Sequence, residues 1–173
     1  GPEWSRHSID IDNISPRDLF ETYLPAFKDL VQKGNVREVM CAYNSVDGEP
    51  CCSNTRLLQQ ILRDEWGFKG IVVSDCDAIS DIWEPNHHNV EPDKEHASAR
   101  AAIAGTDLNC GGNYTHLPEA VKAGLIKEEV IDSRLQKLIE GRIMLGEFDP
   151  DSVQSWNALG MDIVDSKTHQ QLA

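Results

Sequence analysis

The residues with chemical potential in this sequence stand where short apolar runs give way to polar ones. Ile71-Val72-Val73-Ser74-Asp75-Cys76-Asp77 sets a carboxylate just after three β-branched residues, a run that reads as a strand buried on both faces. A carboxylate at such a strand end can attack an electrophilic carbon or hold a metal. Two further runs end in the same way. Glu38-Val39-Met40-Cys41-Ala42-Tyr43 delivers a phenol, and Thr106 to Asn109, followed by Cys110, delivers an amide and a thiol. In a barrel of alternating strands and helices, such ends converge on one mouth. Taken singly, each has a plainer reading. A strand-end Asp is more often a turn or cap residue, a part that Asp77 fits better than Asp75, and Tyr43 alone suits a core.

The elements that must position these groups alternate along the chain. Ser15-Pro16 opens a helix to about Gly34, with Leu19, Tyr23, Phe27, Leu30 and Val31 at helical spacing and Pro16 in the first turn, where its missing N–H costs nothing. A strand over 38–43 follows, then a loop from Asn44 to Cys52 that carries the turn signal Asp47-Gly48. Asn54 caps a helix to Trp66-Gly67, and the strand Gly70 to Ser74 leads to a polar loop, Asp81 to Pro92. A helix from about Asp93 to Ala104, a strand Thr106 to Asn109, a short helix Leu117 to Lys122 and a long helix from Glu128 to Leu145-Gly146 complete the pattern. Strands separated by helices imply βαβ units, a parallel sheet and right-handed crossovers. The expectation is an α/β chain with about three parallel strands, an incomplete (β/α)8 TIM-like barrel occupying residues 1–148. The mixed polar stretch 149–173 reads as a segment leading out of it.

Composition narrows the class of protein without naming a reaction. The chain has 173 residues, 40% hydrophobic and 26% charged, the profile of an ordinary globular protein, and short of the about 250 residues of a whole eight-fold barrel. A formal net charge of −13 argues against nucleic acid or an anionic membrane as partner, since both call for a basic face. A start at Gly1, with neither an initiator Met nor a signal peptide, leads us to expect a processed or excised segment. Five cysteines, Cys41, Cys51, Cys52, Cys76 and Cys110, leave at least one unpaired, and none has C-x-x-C metal spacing. His87-His88 invites a metal reading, but neighbouring histidines point in different directions and no carboxylate has matching spacing. The expectation is loop histidines, no metal and no cofactor.

Together, several motifs resemble glycoside hydrolase family 3. They are Met40-Cys-Ala-Tyr43-Asn44, Leu62-Arg-Asp-Glu-Trp66-Gly67-Phe68-x-Gly70, Val73-Ser-Asp75-Cys76 and Ala104-Gly-Thr-Asp107-Leu-Asn-Cys110-Gly111. The opening Gly1-Pro-Glu-Trp4 is similar to the stretch after that family's Lys-His sugar-binding motif, which is absent here, and Lys167 to Ala173 resembles the segment that leaves the barrel. The resemblance implies a retaining exo-acting β-glycosidase in which Asp75 attacks the anomeric carbon and forms a glycosyl-enzyme. It implies Tyr43 as a hydroxyl donor to Asp75. It also implies a general acid in a later domain, so the rest of the barrel and a C-terminal domain are expected partners, besides the carbohydrate.

The Ser-Asp-Cys form resembles the family's β-xylosidase branch, whereas its glucosidases usually carry Trp after the nucleophile. The resemblance implies a Cys76–Cys110 disulfide lining the sugar pocket, where its bulk favours a pentose, and a Cys41–Cys52 bridge that leaves Cys51 free. Two disulfides imply an oxidising compartment, a bacterial periplasm or the extracellular space. The expected substrate is a β-xyloside from plant-type oligosaccharides. The alternatives are a β-glucosidase, an α-L-arabinofuranosidase, or a segment that is catalytically incomplete alone. Glu3, Trp4, Met40 and Trp83 are further expected sugar contacts, Trp4 because aromatic faces pack on sugar rings. For Trp83 a loop anchor is an equal reading.

Overall fold

The first three helices start where a short polar side chain takes a free backbone N–H. A computed structural model describes residues 3–173; Gly1 and Pro2 of the opening motif lie outside them. Ser15 accepts from Asp18 N at 3.0 Å ahead of the first helical run, α1, made of Pro16–Asp18, Leu19–Tyr23 and Pro25–Gln32. Asn54 accepts from Leu57 N at 3.0 Å before α2, Arg56–Glu65, and Asp93 accepts from His96 N at 2.9 Å before α3, Lys94–Ala104.

The strand β2, Glu38–Cys41, pairs in parallel with β5, Ile71–Ser74, in register from Glu38 with Ile71 to Cys41 with Ser74. Gly70 lets β5 enter beside β2, since a Cβ there would lie 2.1 Å from the Arg37 carbonyl oxygen. Helix α2 makes the crossover, and α3 leads to the third strand position. There the sequence reading needs correction. Thr106 to Asn109 is reduced to one parallel bridge, between Val73 and Leu108. The Asp107 carboxylate, not a regular ladder carbonyl, accepts from Val72 N at 2.8 Å. The fold is thus α/β, with helices packed around parallel strands.

The region from Asn44 to Cys52, read as a loop, contains a second small sheet. β3, Ser45–Val46, lies between β1, Asp10–Ile11, in parallel and β4, Glu49–Pro50, antiparallel. Asp47 and Gly48 both have positive φ, 52° and 78°, as a tight two-residue hairpin turn requires. Asp10 holds this sheet by accepting from Ser45 Oγ at 2.7 Å and from Gly48 N at 2.9 Å. Strands of two residues carry no alternation that a sequence can display.

α4, Leu117–Lys122, is followed by α5, Glu128–Met144, within which the chain divides into two compact units between Leu138 and Ile139. The first contains every strand and the buried core, with Val72, Ile79 and Ile82 wholly inaccessible. The second contains the end of α5, three single turns and α6, Lys167–Leu172, and its Trp156 and Met161 are exposed.

Inside the first unit, Asp107 is the tie between elements. Its carboxylate accepts from Arg63 Nη2 of α2 at 2.6 Å, from Val72 N of β5, and from Arg134 Nη1 of α5 at 3.3 Å. Removing one partner of a buried pair leaves an uncompensated charge, which costs about 3–5 kcal/mol. Asp107→Ala should therefore lower the free energy of urea unfolding by that amount, with Arg63→Ala following it.

Candidate active site

Asp75 follows β5 directly, and its position comes from backbone bonds to both neighbouring strand ends. Its N–H donates to Cys41 O at 3.0 Å, while Ser74 N donates to Leu108 O at 2.8 Å. Two residues on, Asp77 N donates to Cys110 O at 2.7 Å. Ser74 Oγ accepts from Cys110 N at 2.9 Å and from Asn109 Nδ2 at 3.2 Å, which locks the third strand end against the second. The sequence thereby brings Asp75, Tyr43 and Cys110 to one edge of the parallel strands.

The Asp75 side chain is half-buried, and its Oδ1 accepts from Cys76 N at 2.7 Å. Asp77 has φ 64° and serves the turn. Gly111 is required opposite it, because a Cβ there would come within 2.4 Å of Asp77 Oδ1.

Tyr43 stands beside Asp75, with its hydroxyl directed at the backbone. Its Oη donates to Cys76 O at 2.7 Å, whereas the resemblance implied a bond to the carboxylate. The Tyr43 hydroxyl has its pKa raised, first by burial and then by contact with the Asp75 carboxylate, with Asp81 adding to it and Arg6 opposing. The phenol therefore stays protonated and able to donate. Its ring is held by two groups that sequence reading did not single out, and its backbone by His88. His7 meets it edge-on at 4.7 Å between centroids, Arg6 covers it at 4.9 Å, and His88 Nε2 lies 2.7 Å from its carbonyl.

Cys76 and Cys110 are joined by a disulfide, S–S 2.05 Å, and Cys41 and Cys52 by another, S–S 2.03 Å. The first lies beside Asp75 with Cys76 exposed; the second fastens the end of β2 to the turn before α2. Cys51 is a buried free thiol, and burial pushes its pKa up to about 11.

The other expected contacts separate. Trp4 is 87% exposed, and Glu3 is exposed in an ion pair with Arg6 at 2.5 Å. Met40 lines an apolar hollow of about 280 Å³ beneath α1, together with Leu19, Phe27 and Ile61. Trp83 is half-buried, packs on the core and donates from its indole to Asn113 Oδ1 at 3.4 Å, which makes it a loop anchor.

The two neighbouring histidines diverge. His88 turns to Tyr43, and His87 turns to Asp81, with Nδ1 2.8 Å from Oδ1. Asp81 is 1% exposed and also meets His7 Nδ1 at 2.9 Å. Its pKa is raised by desolvation, against which His7, His87 and His88 pull it down. His7, Asp81 and His87 are the residues with atoms close enough to hold a metal among those described. The sequence reading found no carboxylate to match His87-His88, because Asp81 meets His87 across a loop with no regular spacing, and His7 joins them from 74 positions before Asp81.

With this geometry goes a clear kinship. Residues 5–140 match the N-terminal domain of glycosyl hydrolase family 3. The chain belongs to that family. A xylan 1,4-beta-xylosidase of Xylanibacter ruminicola is 49% identical over all of this chain and 20% of its own length. Among solved structures, an exo-beta-xylosidase of the family in complex with a xylobiose aziridine probe superposes with TM-score 0.79 at 35% identity, over 84% of this chain and 19% of that one. A beta-glucosidase involved in saponin metabolism from intestinal bacteria superposes with TM-score 0.78 at 32% identity, over 99% of this chain and 22% of that one. The chain spans about a fifth of the length of these relatives.

The thiol chemistry is directly measurable. A non-reducing peptide map should contain Cys76 linked to Cys110 and Cys41 linked to Cys52. Iodoacetamide at neutral pH should leave the native chain unmodified and alkylate Cys51 alone once it is unfolded without reductant.

Proposed function

We propose that this chain is the nucleophile-bearing part of a retaining exo-acting β-glycosidase, with β-xylosides as its substrates. The observation that carries the proposal is the half-buried Asp75 carboxylate at the end of β5, fed by a backbone N–H and flanked by a protonated Tyr43. In this reading a carboxylate oxygen of Asp75 attacks the anomeric carbon as the glycosidic bond breaks and the leaving oxygen takes a proton from a general acid. The resulting glycosyl ester is then hydrolysed by water, with the acid now serving as base. Tyr43 holds the Cys76 carbonyl and orients the turn that presents Asp75. Support for a pentose comes from the Cys76–Cys110 bridge beside Asp75, whose bulk crowds the place of a hydroxymethyl group, and from the identity with the xylan xylosidase.

The parallel strands are read as the closing part of a (β/α)8 barrel whose earlier strands pair with the outer edge of β2. Residues 1–148 belong to that barrel and 149–173 lead out of it to a second domain carrying the acid. The covered fifth of the relatives' length agrees with such an arrangement. The two disulfides suit a periplasmic or extracellular location. A β-glucosidase remains the second reading, because a beta-glucosidase superposes nearly as well as the xylosidase. An α-L-arabinofuranosidase of the same branch is tested with it.

Treatment of the full-length protein with a 2-fluoro-xyloside inactivator, followed by peptide mass spectrometry, should place the label on Asp75; a label on any other carboxylate overturns the assignment. Paired assays should show nitrophenyl xyloside cleaved faster than the glucoside and the arabinofuranoside. Tyr43→Phe should lower kcat about 2- to 10-fold, the range of one hydrogen bond between neutral groups, here that to the Cys76 carbonyl. The 173 residues alone should give no turnover, since loss of general acid–base catalysis costs about 10² to 10⁴ in rate.

A further inference from the structure

We propose that His7, Asp81 and His87 form a binding site for a divalent cation of the zinc class. The three offer two imidazole nitrogens and a carboxylate, a donor set that suits this ion and leaves a position open for water or a fourth ligand. One ligand atom from each lies within 4.8 Å of the others.

The telling observation is His87. Its Nδ1 is buried and lies 2.8 Å from Asp81 Oδ1, yet it makes no hydrogen bond. The nitrogen is near the oxygen but does not aim at it. A buried polar atom left in this way costs free energy. Two ligands of one ion show the same relation: each sits about 2.1 Å from the metal and close to its neighbour, with both lone pairs directed at the ion.

The chain builds this arrangement deliberately. Asn86 takes φ 68°, and the Asp81 carbonyl accepts from His88 N at 3.0 Å and from Asn89 N at 3.3 Å. These bonds fold the loop back so that His87 returns over the Asp81 side chain. The imidazoles of His7 and His87 lie nearly parallel, 16° apart with centroids at 5.1 Å, on the same carboxylate.

The surroundings can accommodate the added charge. Glu84 Oε2 is 3.6 Å from His87 Nδ1 and half-buried, within reach as a fourth ligand by a rotamer change. His7 Nδ1 now lies 2.9 and 3.0 Å from the two Asp81 oxygens, and Arg6 Nε donates to His7 Nε2 at 3.1 Å. Binding moves the His7 ring proton from Nδ1 to Nε2 and turns Arg6 outward, where its 45% exposed side chain keeps Glu3 as partner. The formal charge of −13 draws cations to the protein as a whole. The ion would tie the segment Glu3 to Ile9 to the loop after Asp81, directly behind Tyr43. Its part is to brace this wall, and the inference does not depend on the glycosidase reading.

The test uses the full-length protein, stripped with EDTA, dialysed, and titrated calorimetrically with Zn²⁺, with Co²⁺ absorption as a second readout. We expect one tight ion at this site. Affinity should be at least about tenfold weaker in His87→Ala and in His7→Ala, since even losing a supporting partner costs about 10- to 100-fold. Zn²⁺ should raise the thermal midpoint of the wild type and not that of His87→Ala, because only a native-state ligand stabilises. His87 lies in a loop and is partly exposed, so its variant remains folded should Asp81→Asn fail to. Absence of binding at micromolar Zn²⁺, or binding undiminished in both histidine variants, overturns the proposal.

Discussion

A single buried carboxylate holds the arrangement on which the rest depends. Asp107 is 3% exposed and meets two arginines and a strand amide. Charges are taken out of water only where every lone pair finds a donor, so the elements bearing those donors must come to Asp107 together. Arg63 also donates to Gly70 O and Gly105 O, both at 3.1 Å, and Arg134 donates to Ala102 O at 3.0 Å. Burial lowers the Arg63 pKa and Asp107 opposes that shift. One ionic cluster thus joins α2, β5, the end of α3 and the first half of α5.

That cluster sits at one end of the strand bearing Asp75 and sets the geometry at the other. Asp107 N and Leu108 N both donate to Val72 O, at 2.8 and 3.0 Å, which fixes the third strand position against β5. From there Cys110 is carried to Cys76, and the disulfide closes the same edge. By the chain-entropy model a bridge across 34 residues contributes about 4 kcal/mol. Asp75, its flanking tyrosine and the disulfide are therefore products of one packing solution. Functional groups gather at strand ends because these are the places where a buried scaffold meets solvent.

Where the sequence reading succeeded, the signal was local and strong. The helix starts at Ser15, Asn54 and Asp93 are visible because a cap is one side chain acting on a backbone three residues away. The strand before Asp75 is visible because burial on both faces leaves an unbroken β-branched run. The strand over Thr106 to Asn109 failed to form as a ladder because Asp107 used its side chain where a carbonyl would serve. The small sheet of β1, β3 and β4 was missed because two-residue strands have no period. Of the two readings of Trp83, the loop anchor has the visible contacts, since its indole meets Asn113 and its ring packs on the core.

By itself the sequence determined the order of elements, the positions of Asp75 and Tyr43 at strand ends, and kinship with a family of glycoside hydrolases. Those follow from spacing over a few residues and from short motifs in fixed order. Tertiary structure alone decided which side chains surround them. The Tyr43 hydroxyl goes to a backbone carbonyl, Arg6 and His7 arrive from the far end of the chain, and Asp81 gathers two histidines, one 6 and one 74 positions away. Contacts of that separation depend on how the helices cross between strands, which no local pattern encodes.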